Sequence, residues 1–240
     1  MARAGRPPLD PARQLERAHR ILDAVAELVL GQGYDRTTID DVARRAGVAK
    51  GTIYLHWKTR DDLLAALLRR ERVLLLTEVR ERAPATLSAL FEHYARALLG
   101  RPLLRAVLAG DSEVLGKLTR LKRDGGAGPA RPGAPLDVYL NAHLDTYVAE
   151  LVERGAVRAE PGDHVLVVSS IVYGFLFLPV AGRPSDERIA ELVGDTVERA
   201  LGTGRPLPPG DERAVARATL DFLDAGVEIA RRKLALSLEV

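Results

Sequence analysis

Residues 37–63 read TTIDDVARRAGVAKGTIYLHWKTRDDL, and this stretch decides the fold class. Thr38 followed by Asp41 is the capping-box pattern with which a short helix begins. Gly47 is placed to end that helix, because glycine adopts the left-handed backbone conformation at low cost. A second short helix is predicted to begin at Lys50. A short helix, a glycine turn and another short helix together predict a helix-turn-helix.

The second helix of this motif has an apolar face and an outer face. Ile53 and Trp57 are predicted to point inward. A single helix fits the major groove of DNA, and the residues at its N-terminal end reach the base edges. Gly51 has an explanation in this geometry, since glycine inside a helix costs about 1 kcal/mol relative to alanine unless another molecule must approach closely. Lys50, Gly51 and Thr52 are therefore predicted to contact DNA.

The helix that follows is predicted to begin in the same way as the first. Thr59 and Asp62 form a further capping box. Lys58 and Arg60 flank this N-terminus, where anions bind well. Both cations are therefore predicted to hold DNA phosphates.

Residues 12–65 resemble the DNA-binding region of the TetR (tetracycline repressor) family of transcriptional regulators. The resemblance rests on the first helix, on Gly33 and on the segments TIDDVA, AGV and KGTIYLHWK. Ala49 stands where the family usually has a serine, and Trp57 stands where phenylalanine is commoner. The resemblance implies an all-α homodimer that binds a palindromic operator in double-stranded DNA. It also implies a variable C-terminal domain that binds a small-molecule inducer and thereby releases the DNA.

The resemblance adds residues to the predicted DNA interface. It implies that Tyr54 and His56 face phosphates, with a core position as the alternative. Arg3 and Arg6 of the N-terminal arm either enter a narrow minor groove or belong to a solvated tail. The predicted DNA-binding residues are Thr38, Lys50, Gly51, Thr52, Tyr54, His56, Lys58, Arg60, Arg3 and Arg6.

The composition excludes several classes of protein. The chain has no cysteine, which excludes disulfides, thiol catalysis and cysteine-ligated metal. Its net charge of +2 does not mark the whole chain as a nucleic-acid binder, but residues 1–60 carry a net charge of +4. The positive charge therefore lies at the helix-turn-helix end. No catalytic motif or metal-ligand spacing is found, so the chain is predicted not to be an enzyme and to need no cofactor.

Two observations concern the location of the protein. The N-terminus has no apolar segment of the kind found in signal peptides, which predicts a cytoplasmic protein. Residues 165–182 carry no charge and approach the length of a membrane span. The serines, glycine and proline within them favour a buried helix instead, so no membrane association is predicted.

Apolar residues recur at three- and four-residue steps along nearly the whole chain, which predicts an all-α protein. The predicted helices span residues 12–31, 38–46, 50–57, 60–82, 86–99, 102–122, 136–154, 162–180, 185–201 and 211–236. Four units are predicted: a flexible basic arm (1–11), a three-helix DNA-binding domain (12–59), a larger ligand-binding and dimerisation domain (60–204), and a linker with an appended helix (205–240).

The larger domain contains a candidate ligand-binding face. Tyr139, His143 and Tyr147 lie four residues apart and share one side of the predicted helix 136–154. Such a face suits a mostly apolar pocket that contains a few polar groups, with ordinary core or exposed positions as the alternative. The inducer is therefore expected to be largely apolar. The candidate ligand-binding residues are Phe91, Tyr94, Tyr139, His143, Tyr147 and Tyr173.

The last three predicted helices bear on assembly. Those near residues 162–180 and 185–201 resemble the pair through which TetR-family proteins dimerise. The final helix is predicted either to extend that interface or to cover the ligand domain, with an apolar stripe of Val215, Ala218, Phe222, Ala225 and Ile229. Two other functions stay open: a helical ligand carrier with a degenerate helix-turn-helix, and a regulator controlled by a partner protein.

Overall fold

A computed structural model describes residues 10–109, 138–177 and 182–238 of the chain. The arm residues Arg3 and Arg6 lie outside this part. The helices in it are α1 (Pro11–Gln32), α2 (Ile39–Ala46), α3 (Lys50–His56), α4 (Arg60–Glu81), α5 (Leu87–Leu99), α6 (Pro102–Ala109), α7 (Val138–Glu153), α8 (His164–Phe177), α9 (Asp186–Leu201) and α10 (Pro209–Leu238). The all-α prediction is confirmed.

Helices α1, α2 and α3 enclose a first hydrophobic core with the N-terminal half of α4. Ile21, Ile53 and Trp57 lie at its centre, and Leu67 of α4 belongs to it as well. Ile53 and Trp57 thus point inward, as their spacing indicates. The boundary of this core falls within α4, so the first turns of α4 pack with the DNA-binding domain.

A second, larger core occupies the rest of the described chain. It is formed by the C-terminal half of α4 and by α5, α7, α8, α9 and α10. Helices α5 and α9 cross closely, because a Cβ added at Gly194 would lie 2.9 Å from the Cβ of Glu92. Arg96 of α5 donates to both carboxylate oxygens of Glu187 on α9, at 2.6 and 2.9 Å. These ion pairs raise the pKa of Arg96.

The final helix α10 covers the second core instead of standing apart from it. The stripe that it buries is Val215, Ala218, Thr219, Leu223, Gly226, Val227, Ala230 and Leu234. The predicted stripe is wrong beyond its first turns, because Ala225 is exposed and Ile229 is only half-buried. The side of α10 that packs against α4 and α7 shifts around the helix axis from its start to its end. A strictly regular spacing of apolar residues does not predict this shift.

The uncharged helix α8 is the one that approaches a membrane span in sequence. None of the helices in the described ranges is both long and apolar enough to cross a bilayer. Val168, Val172 and Leu176 of α8 are buried in the second core. Ser169 is buried with them, whereas Leu166 is 63% exposed on the other side of the helix.

Candidate nucleic-acid interface

The helix-turn-helix has the local geometry that its sequence predicts. The Thr38 hydroxyl accepts from the backbone N–H of Asp41 at 3.1 Å, and the Asp41 carboxylate accepts from the backbone N–H of Thr38 at 3.3 Å. These hydrogen bonds lower the pKa of Asp41. Gly47 ends α2 in the left-handed conformation, with φ 65° and ψ 39°. The turn therefore fixes the direction in which α3 leaves α2.

The N-terminus of α3 is open to an approaching molecule. Ala49 stands at its cap position and supplies no side-chain hydrogen bond. A Cβ added at Gly51 would meet no atom within 4 Å, so packing within the chain does not require glycine there. Lys50 is exposed and donates to Asp40 at 2.8 Å, whereas Thr52 is half-buried. The first turn of α3 thus has backbone N–H groups without a side-chain cap beside an exposed cation.

Replacing Ala49 with serine should stabilise the helix-turn-helix. A serine hydroxyl at the cap position would accept one of the unpaired N–H groups of α3, which is worth about 1 kcal/mol. Trp57 is the only tryptophan of the chain and is buried in the first core, so its fluorescence during urea unfolding measures this gain. Ala49→Val is the matched control because valine cannot cap. Equal midpoints for the two variants would contradict the prediction.

The outer face of α3 continues with an aromatic and an apolar side chain. Tyr54 is 39% exposed, so its predicted outward position is observed, and Leu55 is 59% exposed beside it. The exposed position of Leu55 cannot be predicted from the sequence, because an isolated leucine is ordinarily assigned to a core. Lys58 is exposed just after α3. Tyr54 and Lys58 can both reach a phosphate from this surface.

Arg60 has a structural role within the chain that its prediction as a phosphate ligand does not include. Its guanidinium donates to the carbonyls of Tyr34 and Thr37 at 3.2 and 2.9 Å and lies 4.0 Å from the centre of the Tyr34 ring. The Tyr34 hydroxyl donates to Asp61. Burial and this hydrogen bond raise the pKa of Tyr34 to about 12. Arg60 therefore ties α4 to the loop that precedes α2.

His56 also differs from its predicted outward position. The ring is half-buried, and its centre lies 5.2 Å from that of Trp57. The pKa of His56 is lowered from its ordinary value, mainly because the ring is partly buried. A backbone hydrogen bond with Leu238 opposes this shift. Leu238 lies at the end of α10, so the neighbour of His56 is a residue about 180 positions away in the chain. Such a contact leaves no signal in the local sequence.

Two arginines fasten the long helices to this domain and to each other. Arg70 of α4 donates to the carbonyl of His19 at 3.1 Å and to the carboxylate of Asp23 at 2.6 Å, both on α1. Arg80, further along α4, forms two hydrogen bonds with Asp224 of α10, at 2.7 and 3.0 Å. A shift of α4 or α10 would therefore be transmitted to the helix-turn-helix.

The predicted ligand-binding residues whose side chains the structure describes are not gathered in one place. Phe91 and Tyr94 are buried in the second core, and Tyr147 donates to or accepts from Thr219 at 2.8 Å. Within the described ranges His143 is exposed whereas Tyr147 is buried, although the two residues lie on the same side of α7. Helix α10 covers α7 at Tyr147. His143 lies about one turn earlier on α7, beyond the part that α10 covers.

The remaining two candidates lie on α7 and α8. Tyr173 on α8 is half-buried, with its ring centre 5.3 Å from that of Phe177. The side chain of Tyr139 on α7 lies outside the described part of the structure.

A cavity of about 510 Å³ lies elsewhere, where α5 and α10 begin and α7 and α9 end. Its walls include Leu87, Leu151, Val157, Val197 and Val215. Ser88, Glu198, Arg205 and Glu212 supply polar groups. This cavity cannot be predicted from the sequence, because the linker that forms one side of it, residues 202–208, separates helices that meet only in the folded chain.

Comparison with known proteins relates the helix-turn-helix to a family. A family model described as bacterial regulatory proteins, tetR family, matches residues 21–67. The fatty acid metabolism regulator protein of Bacillus subtilis (strain 168) is 38% identical over 52 residues, which cover 22% of this chain and 27% of that protein. The transcriptional regulator HbdR of Aromatoleum sp. (strain CIB) is 42% identical over 60 residues, which cover 25% of this chain and 26% of that protein.

These sequence matches are confined to the DNA-binding end, and they span only about a quarter of the length of the two relatives. A solved structure extends the likeness of the fold. A TetR-family transcriptional regulator of Mesorhizobium loti MAFF303099 covers 80% of this chain and 99% of its own, with a TM-score of 0.53 and 17% identity. At this identity the likeness concerns the fold alone.

Proposed function

We propose that the protein is a cytoplasmic transcriptional regulator, because residues 21–67 match the model of the tetR family of bacterial regulatory proteins. It binds a palindromic operator as a homodimer and acts as a repressor that a small molecule releases. The observation that carries the proposal is the open N-terminus of α3. Gly51 there meets no atom that would exclude a side chain, while Lys50 and Thr52 flank it.

The surface around α3 supports contact with double-stranded DNA. Lys50 and Thr52 lie where base edges would be reached, and exposed Tyr54 and Lys58 lie where phosphates would run alongside. Thr38 is exposed at the start of α2 and is occupied by its own capping box. We propose that Thr38 marks a minor DNA contact, made through backbone N–H groups in the first turn of α2.

The outer side of α8 supports assembly into a homodimer. Leu166 is 63% exposed, and Ser170 on the same side is exposed as well. Tyr173, Gly174 and Phe177 continue this uncharged stripe and are half-buried. A second copy of the chain would bury such a stripe.

Helix α9 offers a smaller apolar contribution to that dimer. Leu192 and Thr196 are half-buried on its outer side, among the exposed charges of Arg188, Asp195 and Arg199. In the proposed four-helix interface, α8 therefore supplies the apolar contact and α9 supplies polar pairing at its edge.

Selection of operator sequences from random DNA by the full chain tests the proposed function. The selected sites should be palindromic, with half-sites about 10 bp apart or more. Affinity should fall steeply as salt rises, because phosphate contacts release counterions. Retention of all sequences alike at low salt would instead favour a ligand carrier whose helix-turn-helix no longer recognises DNA.

Lys50→Ala and Thr52→Ala should each change the selected sequence, since base contacts specify the site. The decrease in affinity for the parent operator should be about 1 kcal/mol for Lys50→Ala, at the low end for a base contact. The reason is that Lys50 must leave Asp40, 2.8 Å away, before it reaches a base. Asp40→Asn is the matched control, and it should tighten binding without changing the site. Unchanged sites in both alanine variants would contradict the assignment.

A further inference from the structure

The cavity between α5, α7, α9 and α10 combines an apolar wall with a polar rim. Its volume of about 510 Å³ lies within the range of small-molecule sites in proteins. Leucine and valine side chains from all four helices form the wall. The linker that precedes α10 closes one side, so a bound molecule would touch the start of that helix directly.

The charges of the cavity lining favour a cation. Among the described lining residues, Glu198 and Glu212 are negative and Arg205 is the one cation, and all three are exposed. In the described ranges no ion pair is found for Glu198 or Glu212, whereas neighbouring Asp211 lies 4.0 Å from Arg154. Two carboxylates beside an apolar wall complement a molecule that has one positive charge on an apolar body.

Helix α10 begins at this cavity and ends at the DNA-binding domain. Its 30 residues correspond to a length of about 45 Å. Along the way it is fixed to α4 through Asp224 and Arg80, and to α7 through Thr219 and Tyr147. The Tyr147 and Phe222 rings also stack, with their centres 4.8 Å apart. These contacts couple the position of α10 to the positions of α4 and α7.

The far end of α10 touches the helix that is proposed to enter the major groove. Leu238 packs against the first core, and its backbone lies beside His56, the last residue of α3. Among the described residues, the buried Nδ1 of His56 and Nε1 of Trp57 find no hydrogen-bond partner. Polar groups without partners cost free energy, so this contact can be rearranged more readily than a fully hydrogen-bonded one.

We propose that the cavity binds an amphiphilic organic cation, and that α10 carries the effect of binding to the C-terminal end of α3. The cation lies between the linker and the second core, where it biases the position of α10. Leu238 then shifts the end of α3 relative to the first core. This inference rests on the proposed function only in its last step, the release of DNA.

Calorimetry with three amphiphiles of equal chain length tests the binding step. Octylammonium should bind the protein about tenfold more tightly than 1-octanol, and octanoate should bind more weakly than either, because one unit charge near a carboxylate is worth about a factor of ten at partly exposed sites. Glu198→Gln combined with Glu212→Gln should abolish the preference for octylammonium over octanol. Glu16→Gln combined with Glu228→Gln removes two negative charges outside the cavity lining and should leave the preference unchanged. Equal binding of the three probes, or no binding, would overturn the proposal.

Fluorescence of Trp57 tests the transmission step without DNA. Octylammonium should change the emission of Trp57 in the parent chain. Leu238→Ala should keep the calorimetric affinity but abolish this change. Leu236, two residues earlier, is 66% exposed and provides the matched control, Leu236→Ala, in which the change should persist. An emission change that survives in Leu238→Ala would overturn the role of α10.

The same variants separate this inference from the proposed function. In the parent chain, octylammonium should weaken operator binding by about fivefold or more, the lower end of typical coupling between sites. A chain that binds octylammonium and responds at Trp57, but selects no operator, refutes the proposed function alone. A chain that selects an operator but does not bind octylammonium refutes the inference alone.

Discussion

Replacing Gly51 with alanine should weaken operator binding by about 1 to 3 kcal/mol, the usual cost of an overpacked contact, although the free protein becomes no less stable. The free chain has room for the methyl group, since no atom lies within 4 Å of its position. Alanine also favours the helix by up to about 1 kcal/mol over glycine. In the complex the same methyl group would separate α3 from the DNA, and an overpacked contact of this kind costs about 1 to 3 kcal/mol. Operator affinity from gel shift and stability from urea unfolding give the two values.

Gly210→Ala is the matched control for this variant. Gly210 is the second residue of α10, as Gly51 is the second residue of α3, and a Cβ there also meets no atom within 4 Å. The two variants should show a similar gain in helix stability, and Gly210→Ala should bind operator as the parent does. Undiminished operator affinity in Gly51→Ala would mean that the glycine does not mark a close approach to DNA.

The helix-turn-helix can be predicted from the sequence because its determinants are local. Thr38 and Asp41 are three residues apart, and Gly47 determines its own backbone conformation. Each of these features acts within one or two turns of helix, so a short stretch of sequence contains both partners. The inward positions of Ile53 and Trp57 follow from the same short-range period.

The partners of Arg60 and His56 cannot be predicted in this way. Arg60 binds carbonyls of a loop that precedes it by more than twenty residues, and His56 lies beside Leu238. Both residues have polar side chains next to the predicted DNA-binding surface. The sequence therefore predicts that both side chains point outward. In the folded chain, Arg60 instead donates to a cluster of carbonyls, and His56 lies beside the end of α10.

The ligand site is the least predictable part for the same reason. Tyr147 and His143 share a helical period, but the cover that α10 provides decides which of them is buried. The cavity residues Ser88, Glu198 and Glu212 come from three separate helices. No spacing along the chain brings them together, so only the packing of α5, α9 and α10 identifies them.

Replacing Arg60 with alanine should destabilise the DNA-binding domain by about 2 to 3 kcal/mol, because charge-assisted hydrogen bonds and a cation–π interaction disappear together. The carbonyls of Tyr34 and Thr37 would lose their donor, and the Tyr34 ring would lose the guanidinium above it. Urea unfolding followed by Trp57 fluorescence measures the decrease in stability. Lys58→Ala should change stability by less than about 0.5 kcal/mol, as is usual for exposed residues.

Operator binding should separate the two variants as clearly as stability does. Lys58→Ala should weaken all DNA sequences alike and reduce the slope of log affinity against log salt by about 1 for each phosphate that is no longer neutralised. Arg60→Lys decides between the two roles of Arg60, since lysine keeps the positive charge but cannot place a planar guanidinium over Tyr34 while reaching two carbonyls. If Arg60 held a phosphate, Arg60→Lys would retain both stability and affinity. The hydrogen bonds within the chain predict instead that Arg60→Lys loses most of the stability that Arg60→Ala loses, because the geometry of the guanidinium, and not its charge, fixes α4 to the loop before α2.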